Sequence, residues 1–323
     1  MNHARSLVCL LALATTLAAQ DSRPASRPDT RPRPRPGTQA LHLKVEGRER
    51  SAWLHVPAAC TGREALPLVM VLHGAGGSGR HYLERNRFRD EAERRGWLIV
   101  APDGLPARPQ AKAGFLTNPV VWNSGQLRAG SERARIDDVA FLLAVLDECA
   151  RRAPVDQERV FVTGHSNGAG MTYLLAQRAS ERFAAFAPVM GLNPVAAPAP
   201  AHARPFLAIY GREDPLVPFE GGESELPWGS RTTPPVRSMV EPWRTALGCG
   251  GEPRESTDVG GVRREVYGPG ANRATFTLIV LAGHGHGWPG GQESGLPERM
   301  IGRRSEALDA TTTILDFFAR HRR

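Results

Sequence analysis

From about residue 41 onward, apolar side chains follow two different spacings. Short, nearly unbroken apolar runs fall at 67–73, 97–101, 159–163, 183–190, 205–210 and 274–281. Runs of that length suit strands buried on both faces. Longer stretches at 80–95, 137–152, 168–179, 235–247 and 304–320 carry apolar residues three and four apart, the spacing of a helix with one face on a core. The segments 41–46 and 51–56, split by Gly47-Arg48, read as an antiparallel hairpin at a sheet edge. This alternation predicts an α/β fold, a doubly wound, mostly parallel sheet with helices on both faces and its site at the strands' carboxyl ends. The connections 103–135 and 211–233 are too long to be plain links. They are expected to wall a cleft, with Trp122, Trp228 and Trp288 as candidate platforms for substrate and core packing as the alternative for each.

The first forty residues follow another pattern. A weakly basic start (His3, Arg5), an apolar core at 7–17 and the small residues Ala18 and Ala19 match a secretory signal peptide, expected over 1–19 and too short to span a membrane. Residues 20–40, rich in Arg and Pro, predict an extended, disordered linker. Residues 41–323 are then long enough for one catalytic domain, and no separate polymer-binding module is expected after its last helix. The protein is therefore expected to be secreted, extracellular or periplasmic.

Charge and cysteines narrow the classes further. The formal net charge is +8, but residues 1–40 hold six arginines and two acids, half of the excess. The remainder forms no basic stripe with interleaved aromatics, which argues against a nucleic-acid partner. Behind the leader stand Cys60, Cys149 and Cys249, enough for at most one disulfide with one thiol left over. No metal-type spacing occurs. His284 and His286 lack Cys, Asp or Glu at ligand distance, so no metal and no cofactor is expected.

The chemistry lies at the ends of the predicted strands. Gly164-His165-Ser166-Asn167-Gly168 sits between a strand and a helix, the layout of a nucleophile elbow. A side chain at 164 or 168 would collide across so sharp a turn, and Ser166 is pushed out towards substrate. A serine hydroxyl needs a histidine to take its proton and a carboxylate to orient that histidine. Strand 205–210 ends in Gly211-Arg212-Glu213-Asp214-Pro215, where Asp214 is the candidate acid and Glu213 its rival. Strand 274–281 ends in a glycine-rich loop with two candidate bases, His284 and His286, between which spacing does not choose. Strand 67–73 runs into His73-Gly74-Ala75-Gly76-Gly77, an oxyanion-type loop whose donors should be the backbone N–H groups of Ala75 and Asn167. His73 is expected to order the oxyanion-type loop, and His165 to be structural. Asp137 and Asp138, at a helix start, are expected to cap it.

Leu72-His73-Gly74, Ile136-Asp137-Asp138-Val139, the stretch 159–168, Asp214-Pro215-Leu216-Val217-Pro218 and His286-Gly287-Trp288-Pro289-Gly290 together resemble the secreted α/β-hydrolase esterases of the polyhydroxybutyrate depolymerase and feruloyl or acetylxylan esterase type. The likeness spans roughly residues 50 to 320. In that family the base stands two residues before the tryptophan, which implies His286. It also implies a serine esterase acting on an oligomeric or polymeric ester, polyhydroxybutyrate-like or, alternatively, a feruloyl or acetyl ester of plant polysaccharide. Family members often pair a cysteine near Cys249 with one shortly before the histidine strand; Tyr267-Gly268-Pro269-Gly270 offers none. A non-catalytic surface-binding protein on the same scaffold is the remote alternative.

Overall fold

One ten-stranded sheet organises the described residues, 34–323 apart from 63, 227, 228 and 293–295, of this computed structural model. In chain order its strands are β1 (Gly37–Val45), β2 (Arg48–Val56), β3 (Leu66–Leu72), β4 (Leu98–Pro102), β5 (Val155–His165), β6 (Ala185–Val189), β7 (Phe206–Gly211), β8 (Glu255–Val259), β9 (Val262–Tyr267) and β10 (Phe276–Leu281). Across the sheet they run β1-β2-β4-β3-β5-β6-β7-β10-β9-β8. The inner six, β4 to β10, are parallel; the pairs at the two edges are antiparallel. Every residue of β4, β6, β7 and β10 is buried. That is why these strands read as unbroken apolar runs instead of alternating ones.

Helices cover both faces. On one side α3 (Asp138–Arg152), α4 (Asn167–Arg178) and α5 (Val236–Ala246) press Phe141, Tyr173 and Trp243 into the larger core. On the other, α1 (Gly79–Arg85), α2 (Phe88–Arg95) and α7 (Ala310–Phe318) supply Leu83, Phe88 and Phe318. The single turn α6 (Glu298–Ile301) lies in the connection before α7.

The structure departs from the sequence expectation in local ways. The helix expected over 80–95 breaks in two because Arg87 takes a left-handed φ of 60°, which drops Phe88 into the core beneath Trp288. The last helix is shorter than 304–320, starting at its cap Asp309. The β8–β9 hairpin was not expected: β8 is exposed throughout, so it carries no apolar signal, and only Gly260-Gly261, both at positive φ, mark the turn. The long connections hold small ladders of their own, Leu105–Pro106 with Val120–Val121 and Gly222–Leu226 with Gly229–Thr233. Asp137 caps α3, accepting from the N–H groups of Val139 and Ala140. Asp138 does not cap; its buried carboxylate pairs with Arg50 and Arg133 and accepts from the Asn123 N–H, pinning the 103–135 connection to the sheet. The three cysteines are free and buried. The expected leader 1–19, residues 20–33 of the expected linker and Trp228 lie outside the described residues, among which no helix is long and apolar enough to cross a membrane. The linker expectation is corrected at its end: residues 37–40 are not linker but the start of β1, paired with 53–56, and they gave no strand signal because none carries a large apolar side chain.

Candidate active site

β5 turns into α4 at Ser166, whose φ of 55° and ψ of −118° lie where side chains other than glycine are strained. The turn is as tight as expected. A Cβ on Gly164 would stand 2.3 Å from the Gly168 carbonyl oxygen, and one on Gly168 2.4 Å from that of Leu72. The Ser166 N–H is held by the Val189 carbonyl at the end of β6, and the hydroxyl opens into a cleft of about 510 Å³.

Two loops bring the charge partners to that hydroxyl. His286 Nε2 lies 2.8 Å from Ser166 Oγ, and His286 Nδ1 lies 2.7 Å from Asp214 Oδ2. Asp214 Oδ1 accepts from the N–H groups of Leu216 and Val217, each at 2.8 Å, so both carboxylate oxygens are occupied although the residue is buried. Burial alone would raise this carboxyl; the facing His286 and the two N–H donors outweigh it and hold Asp214 below the usual carboxylate range. Glu213 points away. It is exposed and accepts from the His284 N–H. His284 is buried with both ring nitrogens engaged, Nε2 donating to the Gly287 carbonyl and Nδ1 accepting from the Ser305 N–H. Of each candidate pair, the structure brings Asp214 and His286 to Ser166 and leaves Glu213 and His284 to the loop.

The oxyanion-type loop meets the elbow across the same cleft, with Ala75 and Asn167 both on its wall. Among the described residues, neither backbone N–H finds a protein acceptor. The Asn167 side chain is used elsewhere: Oδ1 accepts from the Trp122 N–H and Nδ2 donates to the Trp122 carbonyl and Ser124 Oγ. His73 is fully buried, donating from Nδ1 to the Gly74 carbonyl and accepting the Gly104 N–H at Nε2. It orders the loop, as expected. His165 donates from Nε2 to the His286 carbonyl; burial, with repulsion from His286, pushes its imidazole down to about 3.

The tryptophan expectation needs correction. Trp122 is fully buried, its indole N–H on the His73 carbonyl, and so packs beneath the oxyanion loop without reaching substrate. Trp288 borders the cleft, but only 5% of it is exposed and its N–H is committed to Thr311 Oγ1. It is a wall edge-on to Tyr82, not an open platform. The sequence reading missed Tyr82, Phe115 and Arg231, which line the cleft. Only the length of the 103–135 and 211–233 connections hinted at two of them.

Comparison with known proteins gives the family and the fold. The family model for esterase PHB depolymerase matches residues 51–216. NocK of Nocardia uniformis subsp. tsuyamanensis is 30% identical over 296 residues, covering 87% of this chain and 82% of that protein. Feruloyl esterase B of Piromyces equi is 26% identical over 73% of this chain, which spans 42% of that longer protein. The acetyl xylan esterase from Aspergillus awamori superposes with a TM-score of 0.59 at 12% identity, covering 87% of this chain and 99% of its own; at that identity the likeness speaks for the fold, an α/β-hydrolase. A family model that matches half of the chain, together with a relative 30% identical across most of both proteins, establishes that the chain belongs to the esterase PHB depolymerase family of carboxylic ester hydrolases.

Proposed function

We propose that ester hydrolysis runs through an acyl-enzyme on Ser166, with His286 as general base and acid and Asp214 as its orienting carboxylate. The observation that carries this reading is the unbroken line Ser166 Oγ, His286, Asp214, at 2.8 and 2.7 Å, opening into the cleft. As Ser166 Oγ bonds to the acyl carbon, its proton passes to His286 Nε2, while Asp214 holds the Nδ1–H and stabilises the imidazolium. The carbonyl electron pair moves to oxygen, which the N–H groups of Ala75 and Asn167 receive; each such donor is worth roughly a hundredfold to a thousandfold. Collapse expels the alcohol, which takes its proton from His286. Water then repeats the sequence on the acyl group and frees Ser166. No step calls for a cofactor.

The substrate favoured is a short aliphatic hydroxyalkanoate ester of the polyhydroxybutyrate type, since the cleft is walled by Phe115, Leu192, Leu216, Met300 and Ile301. The relatives named as feruloyl and acetyl xylan esterases support a second reading, an aromatic or acetyl ester of plant polysaccharide. In either case the enzyme acts after export, with 1–19 as leader, 20–36 as linker and a catalytic domain that begins with β1 at Gly37. Labelling by a fluorophosphonate, mapped to Ser166 by mass spectrometry, and turnover across hydroxybutyrate, feruloyl and acetyl esters test it. Labelling elsewhere, or none, would sink the acyl-enzyme assignment.

A further inference from the structure

Arg231 is a cation on the cleft wall with donors to spare. It sits on the strand Gly229–Thr233, in the 211–233 connection that follows Asp214. Its Nη2 donates to the Leu216 carbonyl at 3.0 Å, and its Nε is buried without a partner. Among the described residues no carboxylate pairs with it. The Leu216 carbonyl is the one protein acceptor the guanidinium meets among the described residues, so its other Nη donors are open to a bound group. The rest of the cleft points the same way: of its described lining residues, Arg85 and Arg231 carry fixed positive charge and none is Asp or Glu.

The position of Arg231 says which part of the ester meets it. A leaving oxygen must collect its proton from His286, so the alcohol portion lies against His286. Arg231 is tied to His286 through the same loop: its Nη2 holds the Leu216 carbonyl, and the Leu216 N–H holds Asp214, the partner of His286. The inference rests on the acyl-enzyme reading above.

We infer that Arg231 recognises a carboxylate on the alcohol portion of the substrate, the free acid end of a short hydroxy-acid ester. The guanidinium offers planar, paired donors that fit a carboxylate. An ester ending in a neutral group leaves them unpaired. The enzyme thus favours soluble, acid-terminated oligoesters over capped ones of equal size.

The test compares acetate release from 3-acetoxybutyrate and from its neutral counterpart 3-acetoxybutyramide, for the wild type, Arg231→Met and Arg231→Lys. The readout is the ratio of kcat/KM for the acid to that for the amide. A wild-type ratio of about ten or more is expected, the scale of one charge-assisted hydrogen bond, falling towards one in Arg231→Met and partly kept in Arg231→Lys. A wild-type ratio near one overturns the inference, and this outcome is decisive even if Arg231→Met does not fold. So does an Arg231→Met variant that loses rate on both esters with the ratio intact, since that marks a residue which only holds the Leu216 loop. Failure of the wild type on p-nitrophenyl acetate as well would strike the acyl-enzyme reading itself, and the inference with it.

Discussion

The ring N–H of His165 donates to the backbone carbonyl of His286 at 2.7 Å, so the residue next to Ser166 holds in place the one whose ring reaches Ser166. That grip requires a neutral, buried imidazole, and burial pushes His165 down to about 3, against ~6.5 in an unfolded chain. Between those values the unfolded state binds a proton that the native state does not, so stability is full above pH 6.5 and is lost as pH falls towards 3. His165→Gln keeps a donor without the titration. Its stability, measured by thermal melts from pH 7 to pH 4.5, should fall less steeply than the wild type's, by up to about 1.4 kcal/mol per pH unit. His55, His73 and His321 are also pushed down by burial and cost stability in the same window, but equally in both proteins, so the difference between the two slopes reports His165. Parallel slopes would mean that His165 is not the titrating group.

Ser166 combines a reactive hydroxyl with a strained backbone, φ 55° and ψ −118°. Ser166→Ala should cut turnover of p-nitrophenyl butyrate by about a millionfold, as when a triad acts as a unit, while folding persists. Ser166→Gly should be just as inactive but melt higher than Ser166→Ala, because glycine relieves a strain of about 1–3 kcal/mol. Equal melting temperatures would place the strain elsewhere.

Much of this arrangement was legible because the sterics leave few choices. Strands buried on both faces must be apolar throughout, so the runs that became β3, β6, β7 and β10 stood out. The elbow needs Gly164 and Gly168, since a Cβ at either meets backbone. What stayed illegible depends on where a chain folds back over itself. Nothing local to Trp122 says that its loop is clamped by the Asn167 side chain and turned inward. Nothing local to Arg231 says that a hairpin returns it to the Asp214 loop. Exposed β8 bears no apolar pattern to read.

The choice between neighbours Asp214 and Glu213 is one of direction. Both follow β7, but Asp214 turns inward to three donors, while Glu213, among the described residues, reaches only the His284 N–H. Asp214→Asn should lower kcat by about ten-thousandfold, since the amide favours the wrong histidine tautomer. Glu213→Gln should cost under about threefold, as expected for an exposed polar contact. Steady-state kinetics on one soluble ester decides it, and an exchange of the two effects would move the acid to Glu213.

The two histidines of the 282–290 loop divide between reaction and support. His286 presents Nε2 to Ser166 and Nδ1 to Asp214, whereas His284 spends both nitrogens on the loop itself, at the Gly287 carbonyl and the Ser305 N–H. His286→Ala leaves Ser166 without an acceptor for its proton, so acylation should be almost abolished. His284→Ala should spare it. Losing two buried hydrogen bonds should destabilise the fold by about 2–3 kcal/mol, yet at least a tenth of the acylation rate should remain because the line from Ser166 to Asp214 is untouched. Pre-steady-state bursts with p-nitrophenyl acetate, read beside thermal melts of the same samples, separate the roles. A wild-type burst from His286→Ala would transfer the base to His284 and undo the assignment of His286.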